Sequence, residues 1–231
     1  MIKVAKNSAV PRQNSRQIKD GLYEQVARIG KAASSAKRLE LLELLCQGEM
    51  NVEQLAVKAQ ISVKLASAHL SVLKSASLVS SQRDGKNIYY SLAAPEVAKF
   101  WVDLRSLAEE RLLDLQVALG NLVAGSDSLA TMDRAELLRE AESGEVVVID
   151  VRPETEYTAG HLPFARSIPV AELKKRIAEI PEDKTVVAYC RGPFCLLAGE
   201  AVSILRDAGR HAVRLDDGVA EWQARGLSIQ R

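Results

Sequence analysis

The sequence predicts two domains, the first mainly α-helical with one β-hairpin and the second α/β with a largely parallel sheet. Three observations carry this. Apolar residues recur at helical spacing over most of the first 119 positions, interrupted by one hairpin signal, Asp84-Gly85, beside β-prone runs. Residues 120–128 form the only Gly-, Ser- and Asn-rich stretch between two periodic regions. Beyond it, short apolar runs alternate with helical patterns, as in a parallel sheet buried on both faces. The expected organisation is a flexible basic arm (1–16), a helical domain (17–120), a linker (121–128) and an α/β domain (129–231).

Composition narrows the function. The 47% apolar content supports real cores, and no apolar run is long enough to span a membrane. The first six residues, Met1 to Lys6, lack the apolar centre of a secretory signal. Cys46, Cys190 and Cys195 are an odd number without paired metal-site spacing, which argues against a disulfide framework and for a reducing cytoplasm. The net charge of +1 conceals a split. Up to Gly125 there are 17 Lys+Arg against 12 Asp+Glu, and from Ser126 onward 14 against 18. The basic half is therefore the candidate for nucleic acid.

Its elements follow in order. Ile18, Leu22, Val26 and Ile29 set a helix over 17–33, and Leu39, Leu42 and Leu45 a second over 35–47. Asn51 caps a third over 52–59. Ser62 is the N-cap of a fourth, in which Leu65, Ala66, Leu70 and Leu73 make the buried side. Lys64, Ser67, Ala68 and Ser71 are left on a thin face of small and basic residues. Two short helices joined by a tight turn, the second slim and polar outside, suit a DNA major groove. Asp84-Gly85 then turns a hairpin whose tip presents Arg83 and Lys86 to phosphates. Val97, Trp101, Leu104 and Leu107 place a long last helix over 95–119.

On these residues, above all Ser62 to Leu73 with Ser67-Ala68-His69-Leu70 and the strand Ile88-Tyr89-Tyr90-Ser91-Leu92, the half resembles the winged helix-turn-helix repressors of the ArsR type. The resemblance implies binding to double-stranded operator DNA and a homodimer built from the first and last helices. It implies a groove or packing role for His69. Many such proteins sense metals through Cys, His or acidic clusters on the third or last helix. Here those helices carry no Cys or His, so no metal site is expected, and Cys46 reads as core packing.

In the second half, a helix over 133–143 ends at Gly144. Buried strands follow at 146–150, 185–189 and 212–215, separated by helices over 170–177 and 196–208. The stretch Tyr189-Cys190-Arg191-Gly192-Pro193-Phe194-Cys195-Leu196 joins strand to helix through a loop of main-chain N–H groups with a helix N-terminus behind it. Such a nest favours a thiolate at Cys190, with Arg191 a second positive influence. Cys195 is either a resolving thiol or a small apolar residue at the helix start.

Asp150-Val151-Arg152, then Gly160-His161-Leu162-Pro163, then Cys190 and Asp217-Gly218-Val219-Ala220-Glu221-Trp222 are similar to the rhodanese (sulfurtransferase) signature over 128–231, the last stretch lying before that family's final helix. The resemblance implies that Cys190 is nucleophile and persulfide carrier, that Arg191 steers an anionic donor, and that small sulfane-sulfur donors are the partners, without any cofactor. Asp150 and Arg152 are expected to brace the loop, and His161 to be a turn residue. Leu196 stands where related phosphatases carry a phosphate-clamping arginine, which argues against phosphate esters. The combined expectation is a cytoplasmic dimeric repressor in which the sulfur or redox state of Cys190 controls operator binding. Two other readings use the same residues: a sulfurtransferase whose winged helix only dimerises, and an arsenite sensor built on Cys190 and Cys195, with or without Cys46.

Overall fold

The computed structural model describes residues 12–123 and 134–231. Its first domain contains α1 (Arg12–Ala33), α2 (Ala36–Leu45), β1 (Met50–Asn51), α3 (Val52–Lys58), α4 (Val63–Ser75), β2 (Val79–Asp84), β3 (Asn87–Leu92), α5 (Pro95–Arg111) and α6 (Leu113–Val123). A reciprocal cap starts α3: Asn51 Oδ1 accepts the Gln54 N–H at 2.8 Å, and Gln54 Oε1 accepts the Asn51 N–H at 2.9 Å. Gln60, at φ 51°, turns the chain toward Ser62, whose hydroxyl accepts the Leu65 N–H at 3.2 Å and opens α4. The hairpin forms as expected and pairs with β1 in an antiparallel sheet of order β1-β3-β2. Leu41, Leu42, Leu55, Leu70 and Leu73 fill the core beneath it.

Expectations for the arm, for Leu65, for the last helix and for the linker change in this half. Residues 12–16 of the arm are helical, and 1–11 lie outside the described residues. Leu65 is 44% exposed; Ala66, Leu70 and Leu73 suffice for the narrow contact α4 makes. The stripe Ile18, Leu22 and Val26 on α1 faces outward, uncovered within one chain. The last helix is two helices, because Leu112 takes an extended backbone (φ −105°, ψ 105°). Gln116 Nε2 donates to the carbonyls of Glu109 and Glu110, two acceptors near the break. The second helix runs to Val123, into the stretch read as a linker; 124–133 lie outside the described residues.

The second domain contains α7 (Arg134–Ser143), β4 (Val146–Asp150), α8 (Glu154–Ala159), β5 (Arg166–Ser167), α9 (Val170–Arg176), a 3-10 turn (Ile177–Glu179), β6 (Thr185–Tyr189), α10 (Leu197–Asp207), β7 (Ala212–Leu215) and α11 (Val219–Ala224). The four strands are all parallel, in the order β5-β4-β6-β7. Alternation along β4 explains the layers: Val147 and Ile149 pack with Leu173, Ala198 and Leu205, while Val146 and Val148 pack with Leu137 and Trp222 on the other face. The stretch 217–222 runs into the last helix itself rather than only preceding it.

The domains touch. Cys46 and, from α5, Ala98, Trp101 and Val102 form one buried cluster with Ala220 of α11, with Phe194 and Ala224 packed against it. No helix of the described residues is long and apolar enough to cross a membrane.

Candidate functional site

The loop 190–196 leaves the carboxyl end of β6, a central strand, where parallel sheets place their sites. It carries two enclosed thiols: Cys190 is 1% exposed and Cys195 9%. Cys190 Sγ donates to the Cys195 carbonyl oxygen at 3.6 Å, beside the Cys195 thiol. The N–H groups of Gly192 and Ala198 face Cys190, and those of Arg191 and Leu197 face Cys195. The amide nest is therefore present, but it serves a pair.

The two thiols are shifted in opposite directions. Burial pushes the Cys190 thiol well up, and its bond to Cys195 adds to this. Cys195 is brought down to about 6, first by the hydrogen bond from Cys190, then by the two amides and the Arg191 charge, against the opposing effect of burial. Within this pair the raised thiol is Cys190 and the lowered one Cys195. A nucleophile with a base in hydrogen-bond contact is the general arrangement for activating a weakly acidic group.

Arg191 is held in place by a carboxylate. Its Nε and Nη2 donate to Glu156 Oε2 and Oε1 at 2.8 and 2.7 Å. Glu156, 2% exposed, also accepts from Lys58 Nζ at 2.7 Å. Lys58 ends α3, the first helix of the helix-turn-helix, so one buried carboxylate joins the sulfur loop to the DNA-reading half.

Asp150 and Arg152 lie at the base of the loop. Asp150 and Arg152 are both fully buried, and Arg152 donates to Asp150 through its backbone N–H, Nε and Nη2. Tyr189 Oη donates to Asp150 Oδ2 at 2.6 Å, and Arg152 also donates to the Gly160 carbonyl and to Gln47 Oε1 at the end of the first domain's α2. His161 stacks on Tyr157, with Nδ1 3.0 Å from the Tyr157 carbonyl, a structural role in the turn.

A third link crosses between the domains. Arg105 of α5 donates to Glu221 Oε1 at 2.8 Å, and Glu221 Oε2 accepts the Gly218 N–H. Both charged side chains are buried. Gly192, at φ 131°, passes so close that a Cβ would stand 3.2–3.3 Å from the Glu221 carboxylate and the Arg105 guanidinium. At Gly218 a Cβ would lie 2.7 Å from the Cys190 carbonyl oxygen. Arg214 donates to the Pro193 carbonyl, and Phe194 meets Trp101 edge to face with centroids 6.4 Å apart.

Glu43, on α2, belongs to the same interface. Burial raises its carboxyl to about 7 against the opposing pull of Arg105, and its Oε1 is buried without a hydrogen-bond partner. A carboxyl raised on folding contributes full stability below pH 4.5 and loses it as pH rises through 7. That change is about 3 kcal/mol for one group. Urea titrations of Glu43→Gln should therefore lack a fall in stability of this size between pH 5 and 8 that the parent chain displays.

On the first domain, Ser62, Lys64, Ser67 and Ala68 are exposed on α4 and His69 is half-buried; Arg83 and Lys86 are exposed at the hairpin tip. Burial pushes the Cys46 thiol up, as for a packing residue. Among the described residues no group of three or more His, Cys, Asp or Glu side chains is arranged to hold a metal ion.

Residue reasoning missed Lys58, Glu156, Arg105 and Glu221. Arg105 did carry a signal: it continues the series Val97, Trp101 at intervals of four, a charge set on a buried stripe. Glu156 had none, since its partners come from positions 98 and 35 residues away.

Residues 35–81 match the family described as bacterial regulatory protein, arsR family, and 133–225 the rhodanese-like domain. An HTH-type transcriptional regulator of Mycobacterium tuberculosis, Rv0324, is 46% identical over 211 residues, covering 91% of this chain and 92% of the relative. A sulfurtransferase of Allochromatium vinosum is 32% identical over 39% of this chain and 84% of its own. The solution structure of the homodimeric winged helix-turn-helix domain of Mb0332 from Mycobacterium bovis is 35% identical over 48% of this chain and 94% of that one, with a TM-score of 0.39. With a relative so similar over nearly the whole length and both domain families matched in order, the chain belongs to the ArsR-type transcriptional regulators that carry a C-terminal rhodanese-like domain.

Proposed function

We propose that this regulator binds operator DNA as a homodimer and that sulfane sulfur taken up by the loop 190–196 changes its affinity. The observation that carries the reading is Glu156, one buried carboxylate shared by Arg191 beside Cys190 and by Lys58 of the helix-turn-helix. In the DNA-reading half, Ser62, Lys64, Ser67, Ala68 and His69 reach base edges and Arg83 and Lys86 hold phosphates. The outward apolar residues Leu22, Val26, Leu113 and Val117 support a dimer through the first and last helices.

In the loop, Cys195 takes the proton of Cys190 as Cys190 Sγ attacks the outer sulfur of a donor R–S–S⁻. A new S–S bond forms, the donor S–S bond breaks, and its thiolate leaves with the electron pair. Cys190 then holds a persulfide. Cys195, after losing its proton to solvent, can attack Cys190 Sγ, closing a disulfide and expelling hydrosulfide. On the side of the first domain the loop is packed: Phe194 rests on Trp101, Gly192 on Arg105 and Glu221. An added sulfur therefore displaces Arg191 from Glu156 and alters the seat of Lys58.

The test uses a duplex selected by the reduced protein from random DNA. Inorganic polysulfide should change its Kd about tenfold, a coupling within the usual allosteric range. Cys190→Ser should abolish the change, and an equal response in both proteins would discard the reading. The sulfurtransferase reading has its own support in the relative named for that activity; steady sulfur turnover without selective DNA binding would favour it.

A further inference from the structure

The two domains do not close completely on each other. Leu45 and Cys46 at the end of α2, Leu92 of β3 and Ala98 of α5 line a cavity of about 370 Å³ together with Val219 of α11 and Ile229 beyond it. That volume lies within the roughly 300–1,000 Å³ of small-molecule sites. None of residues 190–196 lines it, so it is separate from the sulfur loop.

Contacts on both sides set its shape. Gln47, on the lining, accepts Arg152 Nη1 across the domain boundary at 2.8 Å and donates through Nε2 to the Glu43 carbonyl. His161 and Gln230 exchange backbone hydrogen bonds at 2.9 Å, which hold Ile229 and Arg231 on either side of Gln230. Two lining glycines mark the closest approaches. A Cβ on Gly48, at φ 136°, would stand 2.8 Å from Ala159 Cβ, and one on Gly160 would stand 2.8 Å from Ile229 Cδ1.

Leu45, Cys46, Ala98 and Val219 are buried, whereas Gln223 and Arg231 are exposed, so the cleft has an apolar floor and a polar rim. The Gln47 amide is spent at both ends, which leaves the rim to supply polar partners. No lining side chain is acidic, and Arg231 is the one charged residue among them. An ammonium finds no counter-charge on these walls, while a carboxylate finds a guanidinium beside an apolar cavity. The structure assigns this cleft to a small amphipathic monoanion: a medium-chain carboxylic acid, its alkyl chain among the buried walls and its carboxylate at Arg231. Because the walls come from both domains, the bound acid favours their docked arrangement. The assignment is independent of sulfur uptake.

The experiment is isothermal titration calorimetry of the reduced full chain at pH 7 with octanoate, octanol and octylammonium, which share one alkyl chain. Octanoate should bind at one site per chain, about fivefold tighter than octanol, the most an exposed ion pair supplies. Octylammonium should bind less tightly than either. Arg231→Gln should bring octanoate within twofold of octanol and leave the affinity for octanol unchanged. Ala93→Leu and Ala94→Leu each place a larger side chain on the lining and should weaken octanoate at least tenfold. Both are made, so that if one loses its circular dichroism spectrum the other decides. No saturable octanoate binding to the parent chain, or full binding in a folded filling variant, would overturn the site. A preference for octanol or octylammonium in the parent, or an unchanged octanoate advantage in Arg231→Gln, would overturn the anion assignment.

Discussion

Asp150→Asn is expected to destabilise the C-terminal domain by about 3–5 kcal/mol, the range for removing one partner of a buried ion pair. Arg152, fully buried, directs its backbone N–H, Nε and Nη2 at Asp150, and Tyr189 Oη donates to the same carboxylate. Without that charge the guanidinium keeps Gln47 Oε1, the Gly160 carbonyl and one amide oxygen as acceptors, none of them anionic. An amide can replace some hydrogen bonds but not the charge, and it presents an N–H toward donors that need an acceptor. Urea unfolding at pH 7, followed by far-ultraviolet circular dichroism, gives the loss directly. The paired change Asp150→Leu/Arg152→Met should cost less than the single one, since no unpaired charge remains. A loss below about 1 kcal/mol for Asp150→Asn would mean that the pair does not brace the strand end.

The fold was legible wherever one periodicity held. β4 and β6 are continuous apolar runs and nothing else fits them; α4 followed from Ser62 and the spacing of Leu70 and Leu73. Legibility failed where tertiary structure set the local conformation. Leu112 breaks a helix with neither Gly nor Pro beside it, and the two-residue strands β1 and β5 exist only through their pairing partners. At the site, the loop and its bracing residues Asp150 and Arg152 could be read. The second sulfur could not: a nest argued from one cysteine considers that cysteine alone, whereas the folded loop brings Cys195 beside the same amides and shifts the two thiols in opposite directions. Buried cross-domain carboxylates such as Glu156 and Glu221 resemble surface residues in a string of letters, since only their burial and partners set them apart.

Glu156→Gln is expected to leave sulfur uptake in place and to reduce the roughly tenfold change in DNA affinity caused by polysulfide to less than twofold, measured by fluorescence anisotropy. Removing this charge should also lower stability by about 3 kcal/mol, because Arg191 and Lys58 then lose a common buried partner. Burial alone would raise the Glu156 carboxyl, but hydrogen bonds and charge from Arg191, then from Lys58, outweigh it and hold it below the usual carboxylate range. The pair is therefore fully formed above the ordinary carboxylate pKa and weakens only as pH falls through the lowered value, so the response should not vary between pH 6 and 8 on its account. Lys58→Met separates transmission from chemistry: the Arg191–Glu156 pair survives, the loop should take up sulfur as before, and the DNA response should still fall. If the two residues act in one path, the double variant should lose no more response than either alone, a non-additivity that independent sites would not produce. A full response in Glu156→Gln would move the coupling to the other contact, where Phe194 rests on Trp101 and Arg105 meets Glu221.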